Sequence, residues 1–356
     1  MPRKKPPVKK PLRQARPKRA PSRARKPLSA VGEFGLIELI SRRSACDRPD
    51  VERAIGDDAA VFTGSGHDRF LATTDVLNES VHFSLDTTTP YLLGRKSLAV
   101  NLSDIAAMGG RPLYYLVGLS LPSHISLDFV RALYRGMQAQ ARRFNVVLLG
   151  GDTVAASGGL SISITLIGRA HPGRILYRCG ARSGDLIFVS GTLGDSALGL
   201  ALLQKGERAS SRQHLIRRHL DPEPRVALGK ALAEVKLATS MIDVSDGLAA
   251  DLGHILSESR VGAEVYCEQL PFSRAYRRQC PQLCSDIFAP ALGGGEDYEL
   301  LFTVSSDRRE AVDACARELG IDVSCIGCIT DAVGQLRIVD ADGQEYTPPQ
   351  KGHCHF

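Results

Sequence analysis

The fold class is indicated by residues 69–108, RFLATTDVLNESVHFSLDTTTPYLLGRKSLAVNLSDIAAM. The apolar run at 69–75 ends in polar residues and predicts a β-strand that delivers Asp75 at its carboxyl end. Residues 91–108 instead carry the apolar periodicity of an α-helix. A strand followed by a long helix is typical of α/β proteins.

The same alternation continues on both sides of this stretch. Before it, GEFGLIELISRR (32–43) has apolar residues at helical spacing and predicts a short amphipathic helix. After it, the pattern predicts a strand at 113–121, a helix at 126–143, a buried strand at 145–152 and a strand with one polar face at 160–170. We therefore predict that residues 31–172 form an N-terminal α/β domain.

A second α/β domain is predicted over residues 173–356. GDLIFVSG (184–191) and YELLFTV (298–304) predict strands, and SMIDVSDGLAADLGHIL (240–256) predicts a strand, a turn and a helix. In DPEPRVALGKALAE (221–234), the aspartate and two prolines predict the first turn of a helix. The total of 356 residues also suits two domains.

The first 30 residues differ in composition from the rest. The chain has a formal charge of +6, but residues 1–27 contain twelve Lys or Arg, seven Pro and no acid, so the remainder sums to −6. With few apolar residues to offset the entropy of ordering, residues 1–30 are predicted to be a disordered basic, proline-rich tail. Such a tail can contact nucleic-acid phosphates, but the net acidic remainder argues against nucleic acid as a partner.

The composition also bears on location. No apolar run approaches the roughly 18 residues of a membrane-spanning helix, so no membrane partner is expected. The N-terminus lacks the apolar segment of a secretory signal, and nine cysteines without such a signal favour reduced thiols. We predict a cytoplasmic protein.

Aspartates stand beside glycine or hydroxyl residues in six short motifs, several of which follow a predicted strand directly. The motifs are IGDDAA, TTDVLNE, NLSD, GGDT, IDVSDG and GGGEDYE. Open α/β sheets bind ligands at the carboxyl edge of their strands, so we expect these carboxylates to gather there. One such aspartate alone would be read as a helix cap or a turn residue. Six motifs together favour a shared site.

Gathered carboxylates need added positive charge near neutral pH, because like charges raise one another's pKa. Carboxylate and hydroxyl oxygens suit Mg²⁺, which commonly binds nucleotide phosphates as well. The chain has no P-loop motif G-x-x-x-x-G-K-[ST], no G-x-G-x-x-G after a strand, and no H-R-D or D-F-G motif. The residues alone therefore predict a metal–phosphate site of another type.

A run of motifs stands in the order found in bacterial thiamine-monophosphate kinases, which the chain resembles from about residue 32 to its C-terminus. The motifs are GEFGLIELI, IGDDAA, TTDVLNESVHF, KSLAVNLSDIAAMGG, GGDT, SGTLGDSALG, RHLDPEPR, IDVSDGLAADLGHI and GGGEDYELLF. The resemblance implies the two-domain α/β (α+β) fold of the aminoimidazole-ribonucleotide-synthetase-like superfamily. It also implies a homodimer formed through the N-terminal sheet, and phosphoryl transfer from ATP to thiamine monophosphate.

The resemblance implies functional residues at matching positions. Several Mg²⁺ ions would be held by Asp57, Thr73, Thr74, Asp75, Asp104, Asp152, Asp243 and Asp246. ATP would be bound by Tyr134, Gly151, Asp152, Arg178 and Ser245. Among these residues, Asp75 and Asp152 are expected to be essential for catalysis.

His82 and Glu296 would contact the thiamine substrate, and one further position departs from the family pattern. The family usually ends in Gly-aromatic-x-His-Phe, whereas this chain ends in GHCHF, which places His353 at the aromatic position. An imidazole can stack on a thiamine ring, but it buries less area and changes charge near pH 6.5. We therefore expect substrate affinity and its pH dependence to differ at this position.

The acceptor implied by the resemblance needs no deprotonating base, since a phosphate monoester is largely dianionic at pH 7. We expect direct in-line transfer without a phosphoenzyme. One alternative is another ATP-using enzyme of the superfamily, such as a selenophosphate-synthetase-like protein, although a reactive Cys and Lys pair in a glycine-rich N-terminal segment is missing. The other alternative is a nucleic-acid-binding protein that acts through residues 1–27.

Overall fold

A computed structural model describes residues 32–43, 48–64, 68–207, 210–350 and 352–353. The predicted tail at 1–30 lies outside these ranges, as do residues 354–356 of the C-terminal motif. Among the described residues, no helix is both long and apolar enough to cross a membrane.

The N-terminal half contains a six-stranded mixed sheet. Its strands are β1 (Val51–Arg53), β2 (Ala60–Thr63), β3 (Arg69–Asn78), β4 (Arg111–Pro122), β5 (Val147–Ala156) and β6 (Ser161–Ala170). Their spatial order is β1-β2-β3-β6-β4-β5, and only β4 and β5 pair in parallel. The helices of this half are α1 (Gly32–Arg43), α2 (Pro90–Ala107) and α3 (Leu127–Phe144).

Among the described residues, only one face of this sheet is covered. Tyr115 and Val117 of β4 are buried in the same core cluster as Leu98 and Leu102 of α2. The alternate residues of β4 point the other way, and Tyr114 is 41% exposed. We call the uncovered side the outer face. Helix α2 thus lies on the inner face, where most of its residues are buried.

Helix α2 forms where the sequence places a strong start signal. The Thr89 hydroxyl accepts a hydrogen bond from the Leu92 N–H at 3.2 Å, and Pro90 occupies the first helical position. Gly94 lies so close to α3 that a Cβ atom there would come within 2.0 Å of the Leu133 carbonyl oxygen. This close crossing fixes α2 against α3.

The C-terminal half contains a second six-stranded sheet. Its strands are β7 (Leu186–Ser190), β8 (Ala238–Asp243), β9 (Gly262–Tyr266), β10 (Leu300–Val304), β11 (Val323–Thr330) and β12 (Leu336–Val339). Their order is β12-β9-β11-β7-β10-β8, and only β9 and β12 pair in parallel. The helices are α4 (Asp195–Gln204), α5 (Gln213–Leu220), α6 (Val226–Glu234), α7 (Leu248–Ser259), α8 (Arg274–Leu283), α9 (Ala289–Gly293) and α10 (Arg309–Leu319).

Two predicted elements have different ends in the structure. Asp75 lies within β3 rather than at its end, because β3 pairs with β6 along its whole length and keeps the polar residues in the ladder. Helix α6 begins only at Val226, after both prolines. Asp221, predicted to begin that helix, instead forms an ion pair with Arg95 at 2.7 Å.

Helix α2 also joins the two halves of the molecule. Its Ala106 packs with Leu228 and Phe302 of the second half. The Ser103 hydroxyl donates a hydrogen bond to the Asp243 carboxylate at 2.5 Å, at the end of β8. The predicted domain boundary at 172 and 173 falls in the connection between β6 and β7, and the division itself stays a prediction.

Candidate active site

Three carboxylates from distant parts of the chain meet beside α2. Asp58 comes from the loop before β2, Asp104 from α2 and Asp243 from the end of β8. One oxygen atom of each lies within 4.8 Å of one of each of the others. We call these three residues the acid cluster.

The acid cluster is only partly neutralised by its neighbours. The Arg178 guanidinium donates to Asp58 Oδ1 at 2.6 Å, and the Thr73 hydroxyl donates to Asp104 Oδ2 at 2.5 Å. Asp58 Oδ2 is buried and accepts no hydrogen bond from the described residues. One guanidinium therefore faces three carboxylates.

Burial and mutual repulsion change the protonation of these acids. Burial, followed by the charge of Asp58, raises the pKa of Asp243 to about 8. Burial, followed by the charge of Asp75, raises the pKa of Asp104 well above its usual range. Asp75 lies beside the cluster, and burial together with Asp58 raises its pKa to about 6. Near neutral pH the cluster must hold protons or acquire a cation.

The donor set of the cluster fits a hard divalent cation. All three ligands are carboxylate oxygens, with the Thr73 hydroxyl adjacent, and Asp58 Oδ2 has no other partner among the described residues. Oxygen donors of this kind suit Mg²⁺ better than softer metals.

A cavity of about 100 Å³ opens beside the cluster, and we call it the acidic cavity. Its lining joins residues of both halves of the chain: Asp75, His82, Asp104, Asp243, Ser245 and Glu296. The structure thus brings together six of the residues predicted for the metal, ATP and substrate sites.

The loop after β8 is held by a buried carboxylate that the motifs did not single out. Asp251 Oδ2 accepts hydrogen bonds from the backbone N–H groups of Ser245, Asp246 and Gly247 at 3.1, 3.1 and 3.0 Å. Asp251 is only 2% exposed. It fixes the backbone that carries the predicted ligands Ser245 and Asp246.

Asp57 and Arg178 lie next to Asp58 of the acid cluster. Asp57 Oδ1 accepts a hydrogen bond from the Arg178 backbone N–H at 3.2 Å, and its other oxygen pairs with Arg53 at 3.2 Å. Burial, followed by the charge of Asp58, raises the pKa of Asp57 to about 7 despite these partners.

Asp152 and Gly151 do not join this site within one chain. Asp75 of β3 lies in one row across the sheet with Ile164, Val117 and Gly151. Three strand spacings separate the ends of that row, or about 14 Å. Asp152 belongs to the neighbouring row, whose β3 member Val76 is 47% exposed on the outer face. Asp152 is itself exposed on the edge strand β5.

Two more predicted residues also lie apart from the acid cluster. The Thr74 hydroxyl is hydrogen-bonded to the Thr165 hydroxyl at 3.1 Å. It lies on the opposite side of β3 from Thr73 and Asp75. Tyr134 of α3 is half-buried and packs against the N-terminal core.

A second cavity of about 180 Å³ adjoins the first, and we call it the outer cavity. His82 and Glu296 line both cavities, and Lys96 and His219 line only the outer one. The His82 Nδ1 atom accepts a hydrogen bond from the Asn78 N–H at 2.9 Å, which orients its ring. The exposed His353 is tied to the site through its backbone N–H, which donates to the Asp246 carbonyl at 2.9 Å.

Comparisons with known proteins show the family of this chain. Family models described as "AIR synthase related protein, N-terminal domain" and "AIR synthase related protein, C-terminal domain" match residues 56–170 and 182–339. The thiamine-monophosphate kinase of Salmonella typhimurium is 41% identical over 330 residues, which cover 92% of this chain and 99% of the relative. The chain belongs to the thiamine-monophosphate kinase family. The family's Bacillus subtilis member is 37% identical over 330 residues, with 92% and 100% coverage.

A solved structure described as "AaThiL complexed with AMPPCP and TMP" has the same fold as this chain. It matches with a TM-score of 0.82 and 36% identity, over 94% of this chain and 100% of that one. The two-domain fold expected for a thiamine-monophosphate kinase is thereby confirmed.

Three residues at the site were not named by reasoning from the family motifs: Asp58, Lys96 and Asp251. Asp58 is the second acid of IGDDAA, and the motif alone does not show whether it or its neighbour Asp57 is the ligand. Lys96 could have been found as one of three charged residues in a largely apolar helix.

Proposed function

We propose that this protein transfers the γ-phosphoryl group of ATP to thiamine monophosphate and so makes thiamine diphosphate. The observation that carries the proposal is the undercompensated acid cluster beside two adjoining cavities. Support comes from relatives named thiamine-monophosphate kinase and from a related structure complexed with AMPPCP and TMP.

The physical difficulty of this reaction is the approach of two polyanions. Two unit charges at ~4 Å repel by about 4 kcal/mol at an effective dielectric constant of about 20. Arg178 supplies one fixed positive charge at the acid cluster, where its guanidinium is held by Asp58. The acceptor phosphate is already largely dianionic, so no base is needed to deprotonate it. The site needs only to align it for in-line attack.

Mg²⁺ is the proposed cofactor of the acid cluster. When bound, it would neutralise the negative charge of the phosphates. We propose Asp57, Thr73, Thr74, Asp75, Asp104, Asp152, Asp243 and Asp246 as the ligand set, to which the structure adds the candidate Asp58. Thr74 belongs to this set by its motif alone, because its hydroxyl lies on the opposite side of β3.

The remaining roles are proposed from the family motifs. Tyr134, Gly151, Arg178 and Ser245 are the proposed ATP contacts, and Ser245 lines the acidic cavity. His82 and Glu296 stand where the two cavities meet, and we propose that they contact the thiamine moiety there. His353 is the proposed ring-facing residue. A cytoplasmic location stays a prediction.

We further propose a homodimer that completes the site with Asp152 from the partner subunit. The outer face of the first sheet and its edge carry exposed apolar side chains, among them Val76, Tyr114, Leu116 and Val154. A patch of this kind is typical of a protein–protein interface. Asp152 lies on that surface, about 14 Å or more across the sheet from Asp75, so one chain cannot place both at the same phosphates.

Complementation tests the shared site. Asp75→Asn and Asp152→Asn are each expected to be nearly inactive. Coexpressed at equal levels, about half of the dimers should be mixed, and one of the two sites in each mixed dimer has both aspartates. The population should therefore show about a quarter of wild-type turnover. Two Asp75→Asn subunits carrying different tags serve as the control. Mixed dimers without recovered activity would contradict the shared site.

An ADP-release assay with product mass detection tests the reaction itself. Mg²⁺-ATP is supplied with thiamine monophosphate, with thiamine, or with no acceptor. We expect ADP only with thiamine monophosphate, together with thiamine diphosphate. Folded protein that binds Mg²⁺-ATP but leaves the monophosphate unchanged would refute the proposed acceptor.

A further inference from the structure

Lys96 is a buried cation at the inner wall of the outer cavity. It belongs to α2 and is only 2% exposed. Its ammonium group lies 2.7 Å from Glu296 Oε1. Within the described part of the chain, the ammonium makes no hydrogen bond besides this ion pair. An ammonium has three donors, so two remain for a ligand.

Lys96 is the cation that holds Glu296 in its charged form. His219 also contacts Glu296, with 3.2 Å between its Nδ1 atom and Oε2. Burial, followed by the charge of Lys96, lowers the pKa of His219 to about 3, so this ring is neutral at physiological pH. Burial acts to raise the pKa of Glu296, but the attraction of Lys96, followed by those of His219 and His82, outweighs it and keeps the pKa below its usual value.

The backbone around Glu296 is fixed in an uncommon conformation. Glu296 has a φ of +65°, in the left-handed region that non-glycine residues seldom occupy. Its N–H donates to the Ser245 carbonyl at 2.7 Å, on the loop that follows the acid cluster. Strain of this kind persists only where the surroundings hold it, and it is concentrated at functional sites. The Lys96–Glu296 pair is therefore held in place where the two cavities meet.

Given the proposed function, the substrate is itself an ion pair, with a cationic thiazolium ring and an anionic phosphate. We propose that Lys96 binds the acceptor phosphate while Glu296 faces the thiazolium ring, so that the buried pair matches the substrate with opposite polarity. Lys96 lines the outer cavity and pairs with Glu296, which lines both cavities. A phosphate held by Lys96 beside Glu296 is next to the acidic cavity, where the donor phosphates must lie.

This arrangement makes Lys96 a specificity-determining residue. Thiamine offers the cationic ring but no phosphate, so the two remaining donors of the ammonium receive no phosphate oxygen. Thiamine monophosphate satisfies both members of the pair. Selection against the unphosphorylated vitamin then follows from a buried charge that only the monophosphate can engage.

The test compares the binding of thiamine monophosphate and of thiamine to the intact protein with Mg²⁺-AMPPCP, by calorimetry. Lys96→Met should weaken binding of the monophosphate about 10- to 100-fold, the usual loss for a charge-assisted hydrogen bond, and change thiamine binding less than about threefold. KM for ATP should stay within about twofold. Lys230→Met is the matched control, because Lys230 is half-exposed and pairs with Glu234 on α6.

The outcomes separate the role of Lys96 from the proposed function. Equal weakening of both ligands, or of neither, would overturn the phosphate-binding role while wild-type turnover stands. Wild-type protein that neither binds nor phosphorylates thiamine monophosphate would overturn the proposed function and this role with it. Should Lys96→Met unfold, Lys96→Gln keeps a hydrogen-bond donor for Glu296 and gives the same comparison of ligands.

Discussion

Two groups of buried carboxylates in this molecule have opposite charge balance. Glu299, fully buried next to β10, accepts hydrogen bonds from Arg225 at 2.6 Å through both its oxygens, from Arg218 at 2.7 Å and from the Ser190 hydroxyl at 2.5 Å. Two guanidinium groups serve one carboxylate there. In the acid cluster, a single guanidinium offsets the charge of three carboxylates among the described residues.

The difference shows what marks a functional acid. A buried carboxylate is costly in either place, but Glu299 is stabilised by cations of its own chain. The acid cluster has no such complement, so its folded form accommodates protons or an external cation. Charge balance, rather than burial, therefore separates the site from the scaffold.

The largest expected effect is the loss of catalysis in Asp75→Asn. The substitution removes one of the charges that would hold the metal and phosphates, so turnover should fall by about 10³-fold, or about 4 kcal/mol of transition-state stabilisation. The thermal midpoint should be unchanged or higher, since repulsion at the cluster is relieved. Steady-state kinetics and calorimetry check both. Residual activity above a tenth of wild type would refute the assignment.

Glu299→Gln should reduce the stability of the fold rather than turnover. It leaves Arg218 and Arg225 without a buried anion and should lower the free energy of unfolding by about 3 kcal/mol in urea titrations. Turnover per folded molecule should remain within about twofold. A larger loss of turnover without destabilisation would mean that Glu299 belongs to the site.

A smaller effect is expected in the pH dependence of metal-free stability. The pKa values of Asp57 and Asp243 are raised to about 7 and about 8 in the folded protein, against a usual 3.8. The folded state therefore binds more protons than the unfolded state, and this stabilisation is lost as pH rises through these values. Between pH 6.5 and 8.5 the free energy of unfolding in EDTA should fall by about 3 kcal/mol.

Mg²⁺ should remove most of that slope, because a bound cation replaces the lost protons. Glu299→Gln is the control, and it should lower stability at both pH values by the same amount. Urea titrations at pH 6.5 and 8.5, with EDTA or with Mg²⁺, decide the matter. Metal-free stability that is flat or rises over this range would contradict the imbalance at the acid cluster.

Much of the fold follows from local sequence patterns. The alternation in LSISITLIGRA gives a strand whose buried and half-buried residues alternate, as expected. The capped start and apolar length of α2 give a helix within one residue of its predicted ends. The predicted ends of β3 and β5 were less accurate, since pairing with neighbouring strands extends both past their aspartates.

Local patterns along the chain account for the strand and helix types, the acid-bearing motifs and the family. Which acids meet depends on the tertiary structure, because Asp58, Asp104 and Asp243 are far apart in the chain and come together through the packing of α2 against both sheets. The tertiary structure also set Asp152 apart from Asp75, through strand order, and paired Lys96 with Glu296. Spacing along a chain fixes local periodicity, whereas charge balance depends on which distant side chains share a low-dielectric space.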